Sequence, residues 1–333
     1  MERKISLAHG SGGQLTRELV EGIFVPQFKN DALSKLTDSA DLPFAGSRLM
    51  FTTDSFVIKP LEFPGGDIGK LSVCGTVNDL AVSGARPLWI SCGLIIEEGF
   101  AVDRLEAIVG SIARTASDAG VSVVCGDTKV VEHGGADGLF INTAGIGVPI
   151  GDFRAGRIQP GDRILVSGTI GDHEAAIFRV RENLGRKMSL ASDCAPLHGL
   201  VQRMIAAARL IRVMRDPTRG GVGAVLNELV SGTACSFTIE EDAIPIRPEV
   251  RGICELVGFD PMYLANEGKL VCIVGEGEAD ALLAAMRSDP LGGDAAIIGE
   301  VIAEPKERVY LQSRFGGARI VSMPSGVQLP RIC

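Results

Sequence analysis

Apolar residues recur along this chain at two spacings, and the changes of spacing mark its elements. The stretch RLMFTTDSFVI (48–58) reads as a strand. Ile68, Leu71, Val77, Leu80 and Ala81 recur at helical spacing and predict a helix over 68–84. Leu105, Ile108, Val109 and Ile112 predict a second over 102–119, with Gly120 as its stop. Leu15, Leu19, Ile23 and Phe24 fit a short helix near the start, and the runs VSVVC and LFINTAGIGV read as buried strands. The first half thus reads as mixed α and β, in an order that departs from the strict β-α-β alternation of a doubly wound sheet.

The run RIQPGDRILVSG marks a boundary, because a Pro-Gly turn precedes a new strand over 163–167. Helices over 172–183, 197–210, 221–230, 248–257 and 278–287 follow. Strands over 236–239, 270–274 and 295–301, and a hairpin turning at Gly316-Gly317, complete the second unit. The last stretch, VSMPSGVQLPRIC, has no helical period and predicts a mobile tail. The expected division is 1–155, 156–320 and 321–333.

Composition narrows the class. Of 333 residues, 46% are hydrophobic and 22% charged, which is ordinary for a globular protein. The net charge of -8 argues against a general nucleic-acid or anionic-membrane binder, which needs clustered Lys and Arg. No apolar run approaches the roughly 20 residues that span a bilayer. The start, MERKISLAHG, lacks the apolar core of a secretion signal, so a cytoplasmic location is expected. None of the eight cysteines forms a C-x-x-C pair, which removes the usual zinc spacing. Cys333 alone lies outside any expected core, where a thiol is open to oxidation or alkylation.

Glycine clusters at HGSGGQL, FPGGDIG, EHGGADG and TRGGVG allow tight turns or close backbone approach to a ligand. PGGDIGKLS fails as a P-loop: Pro64 stands where the first Gly should be, and Leu71 where the hydroxyl should be. The helix it starts carries Asp67 and Asn78 about 20° apart around its axis, with Lys70 and Cys74 near the same stripe. Asp79 follows at once. Asp54 and Asp127 adjoin apolar β-like runs, where an unpaired buried carboxylate costs several kcal/mol. They read as members of one site; a surface turn explains Asp38 and Asp41 equally well. Carboxylates converging without His or Cys suit hard cations such as Mg²⁺, which completes its shell with substrate phosphates. Lys129 could balance phosphate charge or move a proton. The helix start after RDPTRGG offers free N–H groups to an anion. A turn accounts for Asn266 and Glu267 as well as a site does.

The motifs LAHGSGG, DSAD, TTDSFV, GGDIGKLSVCGTVNDLAVSGARP, CGDTKVV, RDPTRGGV, NEGKL and PRIC occur in the order found in the hydrogenase expression/formation protein HypE family, which this chain resembles over its whole length. The resemblance implies a two-domain PurM-like (AIR-synthetase-like) α+β fold that forms homodimers through its N-terminal sheets, with ATP and Mg²⁺ between the domains. It implies that Cys333 receives a carbamoyl group from the carbamoyltransferase HypF. ATP-dependent dehydration would then give a thiocyanate, whose cyanide passes to iron on the HypC–HypD complex. Asp38, Asp54, Asp79 and Asp127 would hold metal and triphosphate. Asp67, Lys70, Asn78, Thr128, Asp216 and Arg219 would add nucleotide contacts, and Lys129 and Glu267 would flank the thiocarboxamide. Selenophosphate synthetases share the N-terminal motifs but need a reactive Cys in the loop His9–Gly13, which has none. A non-catalytic thiol carrier would need the tail without the acidic site.

Overall fold

The computed structural model describes residues 4–6, 9, 18–31, 44–46, 48–150, 156–184, 189–324, 329 and 331–333. Its first unit is a four-stranded sheet in the order β1 (Met50–Phe56), β4 (Leu139–Pro149), β2 (Ala85–Glu97), β3 (Ser122–Val131). β2 and β3 are parallel, joined by the crossover helix α2 (Val102–Asp118), and the other pairs are antiparallel. α1 (Ile68–Val82) packs against β1, β2, β4 and α2. Near the start, Val20–Phe24 forms a π-helical turn that runs into a helical turn, Val25–Phe28.

The sequence pattern leaves Ala85–Glu97 unassigned, yet it is a central strand of 13 residues. Pro87 cannot donate to a sheet ladder. It is accommodated where the pairing with β4 shifts register between Pro87 and Trp89.

The second unit is a seven-stranded sheet in the order β11 (Ala318–Val321), β10 (Val309–Gln312), β7 (Ser236–Glu240), β9 (Ala296–Ile302), β5 (Arg163–Val166), β8 (Val271–Val274), β6 (Ile211–Arg215). β10 pairs with β7 in parallel and all other neighbours are antiparallel. Its helices are α3 (Asp172–Arg181), α4 (His198–Ala207), α5 (Gly221–Val230), α6 (Pro248–Val257) and α7 (Ala279–Arg287). β6 also escapes the sequence pattern, since IRVMR is short and carries two arginines.

α1 joins the units. Ile68, Leu71 and Val77 are buried in the core of the first, while Ala81 and Val82 pack with Leu197, Leu200 and Met204 of the second. Each such fully buried aliphatic side chain contributes roughly 1.5–3 kcal/mol. Its polar residues Ser72, Thr76 and Asn78 are buried too, on different sides of the axis, so this helix has no solvated face.

Candidate active site

Period-two alternation on β1 turns Thr52 and Asp54 away from the exposed face that carries Phe51, Thr53 and Ser55. The Thr52 hydroxyl donates to Asp79 Oδ2 on α1 at 2.7 Å. A Cβ at Gly75 would come within 2.9 Å of the Phe56 ring and 3.4 Å of Asp54 Oδ2, so glycine lets the carboxylate lie against the helix. Asp216 follows β6, where its Oδ2 accepts the Thr218 hydroxyl at 3.0 Å. Thr52, Asp79, Arg215 and Asp216 line a cavity of about 220 Å³.

These acids share one electrostatic field. Burial pushes Asp54 above the usual carboxylate range; the Ser55 N–H and Arg219 oppose it, and Asp216 adds to it. Burial raises Asp79 as well, and Asp54 reinforces it. Asp216 is pushed up to about 6 by burial and then by Asp79. The like charges disfavour one another, so a cation bound among them would be held strongly. An oxygen-only donor set of this charge fits a hard cation that also binds phosphate. Among the described residues no three acidic, His or Cys side chains already stand as a ready-made metal cage.

Glu267 lies across from this group, 5% exposed. Burial pushes its carboxyl well above the ordinary range, and the charges of Cys194, Asp193, Asp216 and Asp54 push the same way. Its Oε1 is buried without a hydrogen-bond partner. Its backbone is tightly held. Asp193 accepts the N–H groups of Glu267 and Gly268 at 3.1 and 3.2 Å, and Lys269 balances Asp193 at 3.4 Å. A Cβ at Gly268 would sit 1.9 Å from the Asp193 carbonyl, so only glycine allows this approach.

The end of the chain, expected to be mobile, is docked in this structure. Val57 N–H donates to the Cys333 carbonyl at 3.1 Å and Lys59 N–H to that of Arg331 at 3.2 Å, an antiparallel pairing just past β1. Arg331 donates to the Val57 carbonyl at 3.1 Å, pairs with Asp137 and lies over the Phe140 ring at 5.6 Å. Arg181 donates to the carbonyls of Lys59 and Arg331. Ile332 and Cys333 are 3% and 8% exposed, packed with Cys74, Cys194 and Ala265. These contacts offset the entropy that would otherwise fray a chain end. Burial, and next Glu267, push the Cys333 thiol up to about 12, while Arg219 opposes the rise.

Asp54, Asp79, Asp216, Arg219, Glu267 and Cys333 are thus brought together, with Asn78 supporting the backbone of Glu267; the other candidate residues stand elsewhere. Asp67 caps α1 by accepting the Lys70 N–H at 2.8 Å, and Lys70 Nζ reaches the Gly65 carbonyl at 2.9 Å. Asn78 is buried among backbone groups of the Ala195–Leu197 and Glu267 loops. Asp127 accepts the Thr128 N–H at 2.9 Å and pairs with Lys129 at 3.5 Å, both acidic and basic side chains mostly exposed on edge strand β3. Lys129 shares a row with Ile95 and Phe140, and Val57 continues that row past β1. Three strand spacings put Lys129 roughly 14 Å from Val57. Asp38 lies outside the described residues, as do Asp41 and the glycines of residues 10–13.

Sequence reasoning missed His173, Glu174, Asp193 and Arg181. Glu174 Oε2 accepts the Ala265 N–H at 2.7 Å and steadies the loop to Glu267; burial pushes its carboxyl up to about 7. Acidic residues in the first turn of DHEAAIFRVR read as an ordinary solvated helix start. Nothing local marks them as buried.

Fold and site together define an AIR synthase related protein. The chain matches the N-terminal domain of that class over residues 37–149 and its C-terminal domain over 159–312. It belongs to the HypE family of hydrogenase maturation proteins. It is 51% identical to the carbamoyl dehydratase HypE of Rhodobacter capsulatus over all of this chain and 99% of that one. A crystal structure of the hydrogenase maturation protein HypE in complex with ATP superposes with a TM-score of 0.94 at 43% identity, covering 98% of this chain and 99% of that one. HypE in a HypE–HypF complex gives 0.79 at 45% identity, covering 92% and 99%.

Proposed function

We propose that this chain is a carbamoyl dehydratase of [NiFe]-hydrogenase maturation, which converts an S-carbamoyl group on Cys333 into a thiocyanate. The observation that carries this reading is the buried Cys333 end held beside Glu267, whose Oε1 lacks a partner. A carboxamide on the Cys333 sulfur would present N–H donors to that oxygen.

Bound ATP with Mg²⁺ supplies the phosphoryl group that turns the carboxamide oxygen into a leaving group. The protein does the rest. Asp54, Asp79 and Asp216 would hold the metal and, through it, the phosphates, and Arg219 offsets the charge between them and the thiol. One amide proton would leave as the oxygen is phosphorylated, and Glu267 takes the second as the C–O bond breaks and inorganic phosphate departs, so that carbamoyl loses the elements of one water and leaves a nitrile on sulfur. Its raised proton affinity suits a base. Dry walls formed by Cys74, Cys194 and Ile332 keep bulk water from hydrolysing the thioester-like carbonyl.

A docked thiol pushed up to about 12 is protonated and a poor nucleophile, so carbamoyl transfer takes place with the tail swung out to a HypF partner. The tail then returns for dehydration, and HypC–HypD takes the cyanide. A homodimer through the first sheet, whose open face carries exposed Phe51 and Ile95, covers that face and brings Asp127 and Lys129 to the shared site. No helix among the described residues is long and apolar enough to cross a membrane, and the reading assigns the protein to the cytoplasm.

The test is ATP consumption in the presence of carbamoyl phosphate and HypF. Wild type should hydrolyse ATP only after Cys333 is carbamoylated, and Cys333→Ser should hydrolyse none. Equal ATP consumption by the two would refute the reading.

A further inference from the structure

His173 is fully buried, and its ring is fixed on three sides. Phe63 packs edge-on against it at 5.5 Å and 89°. Nδ1 stands 2.7 Å from Ser192 Oγ, and Nε2 stands 2.6 Å from the Ile332 carbonyl oxygen. A carbonyl can only accept, so Nε2 carries a proton. Burial pulls the imidazole below its ordinary range, so the ring is neutral and Nδ1 is an acceptor filled by the Ser192 hydroxyl. Ser192 Oγ in turn accepts the Cys194 N–H at 3.0 Å, next to the Asp193 that holds Glu267. The imidazole therefore has one tautomer, one orientation and one outward bond, and that bond goes to the peptide carbonyl immediately before Cys333.

We infer that His173 is a positioning residue: its Nε2–H latches the inward tail and aims the Cys333 side chain at Glu267. The inference rests on the proposed dehydratase reading for its consequence, but the latch itself is independent of it. His173 reaches only backbone of the tail, so it sets where the reacting group sits and takes no part in bond-making. One buried hydrogen bond of ordinary strength shifts a docking equilibrium by roughly 5- to 10-fold.

The latch is read by iodoacetamide labelling of Cys333 in the folded full-length protein, without ATP, with Cys272 in the core of the second sheet as an internal control. His173→Phe, which fills the space but cannot donate, should raise Cys333 labelling roughly 5- to 10-fold and leave Cys272 unlabelled. His173→Gln, which keeps an N–H donor, should recover most of the protection. With HypF and carbamoyl phosphate, His173→Phe should accept the carbamoyl group at least as fast as wild type but lose water from it about 10-fold more slowly in a single turnover. Unchanged Cys333 labelling in His173→Phe, parallel labelling of Cys272, or no recovery with Gln would each overturn the latch. Wild-type protein that never loses water, with the labelling pattern intact, would sink the dehydratase reading and leave the latch standing.

Discussion

Asn78 on α1 donates to the carbonyl of Glu267 at 3.1 Å, so the helix that carries Asp79 also fixes the loop that carries the base. The same amide donates to the Ala195 carbonyl at 3.1 Å, and its Oδ1 accepts the Leu197 N–H at 2.7 Å. Replacing it with Ala orphans these buried backbone groups. Asn78→Ala should lower stability by about 2–4 kcal/mol in urea unfolding and slow water loss even where the protein is folded. Wild-type stability would show that the two units do not depend on this link.

Asp216 is pushed up to about 6 from an ordinary 3.8. The folded protein thus binds its proton more tightly than the unfolded chain does, and the charge destabilises the fold as pH rises from about 4 to 6. Asp216→Asn removes that penalty. The variant should be more stable than wild type by about 1–3 kcal/mol at pH 8, equal to it below pH 4, and inactive. Denaturant midpoints at the two pH values check this. A variant less stable at pH 8 would contradict the repulsion described here.

Glu174 gives a second window. Its carboxyl is raised from 4.5 to about 7 by burial. Its contribution to stability is therefore present below about pH 4.5 and lost as pH climbs to 7. Glu174→Gln keeps an oxygen for the Ala265 N–H and should flatten the fall in melting temperature between pH 5 and 7. An unchanged slope would assign that fall to other groups.

Arg331 ties the tail to Asp137, Phe140 and the Val57 carbonyl. Arg331→Ala should increase proteinase K cleavage of the tail and Cys333 labelling together, while the melting temperature moves by less than about 2 °C. Cleavage at the wild-type rate would mean that the backbone pairing with Val57 and Lys59 suffices to hold the end.

Elements with a clear period or a capping residue were legible in the sequence. The expected helices over 221–230 and 248–257 agree with the observed Gly221–Val230 and Pro248–Val257, where glycines and Pro248 mark the starts. β2 was hidden by Pro87 and Gly93, which weaken a strand pattern that long-range pairing on both sides restores. Asp54 and Asp127 stood out as carboxylates beside apolar runs and Asp79 as an acid within a helix, whereas Asp216 and the role of Glu267 came only with the family resemblance. His173 and Glu174 did not stand out, because their burial comes from residues 265 and 332, far along the chain. The docked position of the tail end was hidden for the same reason: a Pro-containing stretch with no period carries no sign of its partners, which are side chains of α3 and backbone just past β1.

The central claim is that Cys333, carbamoylated and docked beside Glu267, loses one water at the expense of ATP. Intact-mass spectrometry of S-carbamoylated protein before and after ATP and Mg²⁺ measures this directly. Wild type should lose the mass of one water, and Glu267→Gln should keep its carbamoyl group through the same incubation. Water loss from the Gln variant at the wild-type rate, or none from wild type, would contradict the account.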